Sequence, residues 1–347
     1  MLNAAFAVLL AAFPAILGDI LPQPGALVVA DRRIDIPNLP ANTVAYNPSI
    51  ARHKGNIYLI FRLDRRDLGW ATQMQLGIVQ LDAKFKVIRG PTLLDTRDVP
   101  WANHTSEDPR FIEHLGELYV IFNATHDGSM NSRRAIRIGH IRVPEDGDPD
   151  DDFELLGLSE LIPNEPGFRP WQEKNWSPFT YEDEIHLVYR TNPAKVYRIN
   201  AGDLNTMPTE IWVDRVSDDT KTVPWHYGEM RGGSNAALDE DLGKYISFFH
   251  ARDANNYGGG YKMHYFIGFY AFDPEPPFSI SHLLPFPIIV PTMTNPRQPY
   301  LEVAYPGGFI SDPEVLHVCY GKNDQSIRVL TVDKNRLYDS LVDINQR

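Results

Sequence analysis

Several residue types that mark particular classes of protein are scarce or absent in this sequence of 347 residues. Its single cysteine, Cys319, excludes an intrachain disulfide, and the apolar stretch around it indicates a small core residue rather than a nucleophile. The histidines are scattered, and neither a His-Glu-x-x-His motif nor a cysteine–histidine cluster with zinc spacing is present. The sequence therefore predicts no metal site.

Basic residues are also fewer than acidic ones. Lysine and arginine number 33 against 45 aspartates and glutamates, which gives a net charge of −12. An acidic surface repels phosphate backbones, so nucleic acid is not expected as a partner. The same charge places no restriction on a neutral ligand such as a sugar.

No apolar run is long enough to predict a stable membrane span. Residues 4–17 have the length of a signal-peptide core, but they lack a basic lead-in and contain Pro14. We favour a targeting segment, and hence a secretory or extracytoplasmic location. The alternative is a buried N-terminal helix or a strand that closes the fold, which would suit a cytoplasmic protein. We therefore divide the chain into residues 1–30, a signal or N-terminal apolar segment, and residues 31–347, a single domain.

Aromatic residues, glycine and proline are well represented. Aromatics make up 11% of the chain beside 24 glycines and 28 prolines, a composition that suits short strands joined by tight turns. Five apolar, aromatic-rich segments begin at residues 58, 119, 186, 245 and 316, spaced 61, 67, 59 and 71 residues apart. Each is typical of a buried strand, and the spacing suits a repeating unit of four strands with sizeable loops.

A short polar motif precedes each of these segments by eight to ten residues. The motifs occupy residues 47–49, 107–110, 174–178, 232–235 and 305–308. Each unit therefore predicts a strand that carries the motif, a hairpin turn and a buried strand. In a propeller the innermost strands line a central channel, so we predict an all-β, five-bladed β-propeller whose motifs meet around one axis. Chance recurrence of Pro/Gly turns is the alternative, and the charges in the motifs argue against it.

The second motif, Glu107-Asp108-Pro109-Arg110, followed by a strand at residues 118–122, resembles the signature of glycoside hydrolase family 130. The other motifs resemble that family in the same order. They are Asn47-Pro48 with Phe61-Arg62, Lys174-Asn175 with Pro178 and Tyr189-Arg190, Phe249-His250, and Tyr305-Pro306 with Gly308, Tyr320, Gly321 and Asp324. The resemblance covers roughly residues 46–332 and includes the whole predicted propeller.

This resemblance implies an enzyme that acts on β-linked, manno-configured sugars. Related enzymes are mainly phosphorylases of β-mannosides, with some β-mannosidases and some nucleotide-sugar-dependent mannosyltransferases. It implies no bound cofactor, and inorganic phosphate or a nucleotide sugar as co-substrate. Glu173 departs from the family, which often has Asp before Lys-Asn, and this departure leaves the substrate open.

The resemblance also assigns roles to residues of this chain. Asp108 is the expected catalytic proton donor, acting directly or through a sugar hydroxyl, although an Asp-Pro pair can also cap a turn. The expected substrate-binding residues are Asn47, Arg62, Glu107, Lys174, Asn175, Trp176 and Asp324. The expected phosphate- or anion-binding residues are Arg110, Lys174, Arg190, Arg231, His250 and Tyr320. The alternative for these cations is ion pairing with the carboxylates of the same motifs.

Four functions remain open at the level of sequence. Our first interpretation is an inverting β-mannoside phosphorylase acting on an oligosaccharide or glycoside. In such an enzyme phosphate itself is the nucleophile, and cationic side chains are needed to bind it. A glycosyltransferase suits the same cations. A β-glycosidase would need a second carboxylate, with Glu107, Glu173 and Glu229 as candidates. A non-catalytic sugar-binding propeller is the fourth, and the sequence leaves the oligomeric state open.

Overall fold

The computed structural model describes residues 24–67, 74–97, 103–125, 128–129, 132–145, 148, 150–168, 170–257, 260–289 and 301–345. Strands account for 62% of the structure and helices for 4%, which confirms the all-β prediction. The apolar segment at residues 4–17 lies outside the described residues. Within the described ranges, no helix has the length and apolar character needed to cross a membrane.

The chain forms consecutive antiparallel meanders after a short N-terminal strand. Helix α1 (Pro24–Leu27) leads into that strand, β1 (Val28–Ile34). The first meander consists of β2 (Thr43–His53), β3 (Asn56–Arg65), β4 (Met74–Leu81) and β5 (Val87–Leu94). The second consists of β6 (Glu107–His114), β7 (Glu117–Thr125), β8 (Arg134–Arg142) and β9 (Glu154–Pro163).

The remaining meanders follow the same order. The third consists of β10 (Ser177–Tyr181), β11 (Glu184–Arg190), β12 (Lys195–Ile199), helix α2 (Ala201–Thr206) and β13 (Glu210–Asp218). The fourth consists of β14 (Glu229–Asp239), β15 (Lys244–Tyr257), β16 (Gly260–Phe272) and β17 (Ile280–Leu283). The last contains β18 (Leu301–Ser311), β19 (Val315–Lys322) and β20 (Ser326–Asp333), followed by α3 (Lys334–Asp339) and β21 (Val342–Asp343).

The N-terminal strand completes the last meander. β1 pairs antiparallel with β20, from Val28 opposite Val332 to Ile34 opposite Ile327. The strand therefore begins three residues before residue 31, the start of the predicted domain. Parallel pairs between β9 and β13, and between β16 and β18, join neighbouring meanders into larger sheets.

The five aromatic-rich segments lie where the repeat predicts them. They fall in β3, β7, β11, β15 and β19, which are the second strands of successive meanders. The polar motifs lie on, or directly before, the first strands β2, β6, β10, β14 and β18. The prediction of a motif-bearing strand, a hairpin and a buried strand is thus confirmed in each unit.

The first strands contact one another in sequence order, and β18 returns to contact β2. Glycines permit this close approach, because a Cβ atom at Gly232 would lie 1.9 Å from the carbonyl oxygen of Asn175. A Cβ atom at Gly307 would likewise lie 2.2 Å from the carbonyl oxygen of Pro48. The arrangement brings the polar motifs together, because they lie on these strands or directly before them.

The hydrophobic core lies between neighbouring meanders. Tyr58 and Leu76 of the first meander pack with Phe111 and Phe122 of the second, and equivalent clusters join each later pair. One further cluster joins the last meander to the first and contains Cys319, which is fully buried as predicted. Full burial of one such large apolar side chain contributes roughly 1.5–3 kcal/mol, so these layers hold the meanders in place.

Candidate functional site

Backbone irregularities place three of the predicted site residues at the centre. Asn47, Asp108 and Asn175 adopt left-handed backbone conformations with φ of 46°, 53° and 65°. The registers of β2 and β6 shift at the first two positions, which is the signature of a β-bulge. Asparagine and aspartate tolerate this conformation better than other side-chain-bearing residues, which accounts for these residue types. A bulge also redirects its side chain, here toward the neighbouring first strands.

The Asp108 carboxylate is held by residues of the first meander. Asn47 Nδ2 donates to Asp108 Oδ1 at 2.8 Å, and Arg62 Nη1 lies 3.7 Å from the same oxygen. Asp108 is buried. The hydrogen bonds and ion pairs described for this carboxylate thus run across the centre of the molecule rather than to the turn that follows β6.

Glu107, beside Asp108, is surrounded by cations. Its carboxylate accepts a hydrogen bond from Lys174 Nζ at 2.8 Å and lies 3.4 Å from Arg134 Nη1 and 3.5 Å from Arg62 Nη2. Burial opposes ionisation, but Arg62, Lys174 and Arg134 outweigh it and lower the pKa of Glu107 to about 2. Glu107 is therefore a fixed anion that positions these cations, and it is unsuited to donate a proton near neutral pH.

Asp324 is a central carboxylate of different character. Burial and the negative charge of Asp108 raise its pKa to about 6, although Arg62 acts in the opposite direction. Asp324 has a left-handed backbone, with φ of 51°, and its carbonyl oxygen accepts a hydrogen bond from Arg66 Nη2 at 2.6 Å. This group changes its protonation in the range where many enzymes work.

The Arg110 guanidinium donates most of its hydrogen bonds to other groups of the protein. Arg110 is buried, its Nη1 donates to the carbonyl oxygen of Asp108 at 3.0 Å, and its Nη2 donates to the Tyr305 hydroxyl at 2.6 Å. Its Nε donates to the carbonyl oxygen of Gly233, and the Tyr305 hydroxyl donates to Asn175 Oδ1 at 2.8 Å. Arg110 therefore ties β6, β14 and β18 together at the site.

His250 lies behind this layer, with its ring 4.8 Å from that of Tyr305 and 5.6 Å from that of Tyr265. Burial, together with the charges of Arg110 and Arg231, lowers the pKa of His250 to about 3. The imidazole is therefore neutral at physiological pH and contributes polar nitrogen atoms rather than a positive charge.

Other predicted site residues have contacts away from the centre. The Arg190 guanidinium donates to Asp218 at 3.0 Å and to the carbonyl oxygen of Pro193, both in the third meander. The Tyr320 hydroxyl donates to Asp31 of β1 at 3.1 Å. Trp176 is fully buried, and its Nε1 donates to Glu173 Oε2 at 2.8 Å. Arg231 is partly exposed and pairs with Glu229 on its own strand.

The structure thus divides the predicted residues into two groups. The residues brought together at the centre are Asn47, Arg62, Glu107, Asp108, Arg110, Lys174, Asn175 and Asp324, with His250 and Arg231 adjoining. The residues whose described contacts lie elsewhere are Trp176, Arg190 and Tyr320. Their predicted roles in binding remain predictions.

Sequence reasoning missed several residues of the site. Asp64 accepts hydrogen bonds from Arg62 Nε at 2.8 Å and from the Tyr46 hydroxyl, and so fixes the Arg62 side chain. Its signal was available in the sequence, because Arg62 and Asp64 lie on the same face of one strand. Arg134 and Tyr265 belong to third strands and to no motif, so only the strand register brings them to the site. Within the described ranges, no group of three His, Cys, Asp or Glu side chains could hold a metal ion.

Comparison with known sequences finds no matching family model and no matching curated protein. Solved structures are nevertheless similar over most of the chain. The β-1,2-mannobiose phosphorylase of Listeria innocua superposes with a TM-score of 0.59 at 13% identity, covering 88% of this chain and 95% of that one. A GDP-Man-dependent mannosyltransferase from Leishmania mexicana has a TM-score of 0.58 at 12% identity, covering 93% and 94%.

A mannose phosphorylase from Leishmania mexicana, solved with a phosphate ion, has a TM-score of 0.57 at 15% identity and covers 95% of both chains. At these identities the likeness shows a shared fold. The resemblance to glycoside hydrolase family 130 therefore rests on the ordered motifs and on this common architecture.

Proposed function

We propose that the protein is a carbohydrate-active enzyme built on a five-bladed β-propeller, in which each meander is one blade. Three observations support the propeller: the first strands contact one another in a closed order, the core layers lie between successive meanders, and β1 completes the last sheet. The substrate in this proposal is an oligosaccharide or glycoside with a β-linked, manno-configured sugar, and the reaction makes or breaks its glycosidic bond.

The observation that carries the proposal is the placement of Asp108. This buried carboxylate lies on a left-handed bulge, is held by Asn47, and faces Arg62 beside a second central carboxylate, Asp324. In the proposed reaction Asp108 delivers a proton to the departing glycosidic oxygen, directly or through a sugar hydroxyl. Asn47 and Asp324 bind hydroxyl groups of the reacting sugar and hold its anomeric carbon in position.

Inorganic phosphate is the nucleophile we favour. Lys174 and Arg231 are partly exposed cations, and His250 lies close to Arg231, with a buried Nδ1 that has no hydrogen-bond partner among the described residues. A phosphate oxygen held there would attack the anomeric carbon as the glycosidic bond breaks and the proton of Asp108 passes to the leaving group. The products are a sugar 1-phosphate of inverted configuration and a shortened glycoside.

Hydrolysis is a second candidate because Asp324 has a raised pKa of about 6. An inverting glycosidase needs a base to activate water opposite the acid, and a carboxylate of this pKa is suited to that role. The glutamates that the sequence offered are less suited. Glu107 is locked among three cations, and Glu229 is exposed and paired with Arg231. Glu173 is buried, and its two carboxylate oxygens accept hydrogen bonds from Trp176 and Tyr189.

One assay separates these functions. Purified protein is incubated with a panel of β-mannosides and β-glucosides, with and without phosphate, and the release of sugar 1-phosphate and free sugar is measured. We expect phosphate-dependent sugar 1-phosphate that is lost in Asp108→Asn and Lys174→Ala and retained in the matched control Lys244→Ala, whose lysine pairs with Asp273 in the fourth meander.

The other outcomes identify the alternatives. Free sugar released without phosphate would replace phosphorolysis by hydrolysis, with Asp324→Asn as the next variant. Product formed only from a nucleotide sugar such as GDP-mannose would indicate a transferase. Tight sugar binding by both wild type and Asp108→Asn, with no turnover of any substrate, would overturn the enzyme in favour of a sugar-binding propeller.

A further inference from the structure

Trp171, which the proposed reaction does not use, lies exposed near the site. Its side chain is one of the large hydrophobic side chains exposed among the described residues, with a relative accessibility of 62%. The neighbouring Trp176, which the sequence analysis placed among the substrate-binding residues, is fully buried against Tyr197. In this segment, Trp171 rather than Trp176 therefore has an aromatic ring exposed to solvent.

The backbone of Trp171 is fixed to the start of β8. The amide of Arg134 donates to the carbonyl oxygen of Trp171 at 3.0 Å, and the amide of Glu173 donates to the carbonyl oxygen of Arg134 at 3.0 Å. Arg134 and Gln172 form a parallel bridge between these two bonds. Such a strap fixes the backbone that carries the indole, so a ligand would not have to order the main chain here.

This strap adjoins the proposed site. Lys174 follows it directly and contacts Glu107, and the Arg134 side chain reaches the same carboxylate. The strap also leads into β10, a first strand, and the polar motifs lie on or directly before the first strands. Trp171 therefore lies in the segment just before the first strand β10, three residues from Lys174.

We propose that Trp171 is a stacking platform for a sugar unit on the leaving-group side of the reacting bond. The apolar C–H face of a pyranose packs on an indole ring while its hydroxyl groups stay in water, and binding sites combine such aromatic surfaces with a few fixed polar groups. This inference rests on the proposed function and narrows its substrate to an oligosaccharide of two or more units.

The kinetic test compares two exposed tryptophans. Trp171→Ala is paired with the matched control Trp212→Ala on the outer strand β13, where the residue has a relative accessibility of 46%. We expect KM for a β-linked manno-oligosaccharide to rise about fivefold to tenfold in Trp171→Ala, while β-mannosyl fluoride, which has no leaving-group sugar, is used as by wild type. Trp212→Ala should match wild type on both substrates.

A binding test is independent of turnover. Calorimetric titration of manno-oligosaccharide into Asp108→Asn, with and without Trp171→Ala, should show the same fivefold to tenfold weakening. Unchanged KM and affinity in Trp171→Ala would overturn the platform and leave the proposed reaction standing. Trp171-dependent binding in a protein that turns over no glycoside would support the platform and overturn the reaction. If no oligosaccharide binds, both proposals fail.

Discussion

Glu107, the ion-pair partner of Lys174, and Glu173, its neighbour in sequence, are both buried, but their carboxyl groups behave in opposite ways. Three cations hold the pKa of Glu107 at about 2. Burial raises the pKa of Glu173 to about 7, and its hydrogen-bond donors are neutral: Trp176 Nε1 at 2.8 Å and the Tyr189 hydroxyl at 3.4 Å. The difference shows that charge compensation, rather than burial, decides which of these carboxylates is ionised.

The comparison also separates a fixed charge from a titrating group. Glu107 stays anionic and orients Lys174 and Arg62 toward the centre. Glu173, whose pKa is raised to about 7, lies instead beside the aromatic side chains of Trp176 and Tyr189. Pairs of carboxylates with divergent pKa values are typical of catalytic centres, and here only one of the pair faces the proposed chemistry.

The largest effect is expected when the charge of Glu107 is removed. Glu107→Gln keeps the shape of the side chain but leaves Arg62, Arg134 and Lys174 without their shared anion, so the free energy of unfolding at pH 7 should fall by about 3–5 kcal/mol. Urea unfolding measures the change, and the matched control is Glu173→Gln, another buried Glu-to-Gln change.

The wild-type pH dependence provides a second measure of the same contact. Because the folded pKa of Glu107 lies below its ordinary value of 4.5, its contribution is complete above pH 4.5 and is lost as the pH falls toward 2. A fall of less than about 1 kcal/mol in Glu107→Gln would contradict the three-cation account, since that is the range of exposed ion pairs.

Glu173→Gln should produce a smaller effect of opposite sign at high pH. The raised pKa means that wild-type stability decreases as the pH rises from 4.5 to about 7, because Glu173 ionises in the unfolded chain while it stays protonated in the folded one. Glutamine lacks this cost, so the variant should gain up to about 3 kcal/mol at pH 8 and little at pH 4. Unfolding curves at both pH values test this, and equal changes at both would refute it.

Asp324 is intermediate between Glu107 and Glu173, because the charge of Arg62 lowers its pKa while the charge of Asp108 raises it. Its pKa is raised from 3.8 to about 6, so stability should fall by up to about 3 kcal/mol as the pH rises through that window. Asp324→Asn should remove this slope, together with any limb near pH 6 in kcat/KM. Persistence of both features in the variant would assign them to another group.

The smallest effect is expected for Arg190. Its pair with Asp218 is partly exposed, with side-chain accessibilities of 44% and 38%, so solvent screens the interaction. Arg190→Ala should change the free energy of unfolding by less than about 1 kcal/mol and leave turnover unchanged. A loss of turnover comparable to that of Lys174→Ala would instead place Arg190 at the reacting centre.

The strand pattern was predictable because the second strand of each meander is buried and aromatic-rich, as in residues 58–61 and 119–122. The convergence of the motifs followed from the same repeat. What sequence could not show was the direction of individual side chains. Trp176 follows the left-handed Asn175 and enters the core, whereas Tyr320 turns to Asp31 of a strand far away in sequence.

The site residues outside the motifs could not be predicted from the sequence for a related reason. Arg134 contacts Glu107 because β8 pairs with β7, and Tyr265 stacks on His250 because β16 pairs with β15. Neither position is marked by a pattern of its own. Likewise, the exposure of Trp171 depends on a bridge between Arg134 and Gln172 that no local rule predicts.

The pairing of β1 with β20 has a consequence for how readily the protein aggregates while it folds. These strands meet across almost the whole described chain, and contacts between distant residues form slowly because a long loop must close first. Until β1 arrives, β20 presents unpaired backbone amides and carbonyls along one side, and such an edge can recruit a strand from another molecule. β1 thus protects the protein against strand exchange and aggregation, and a chain that lacks it would be expected to self-associate through β20.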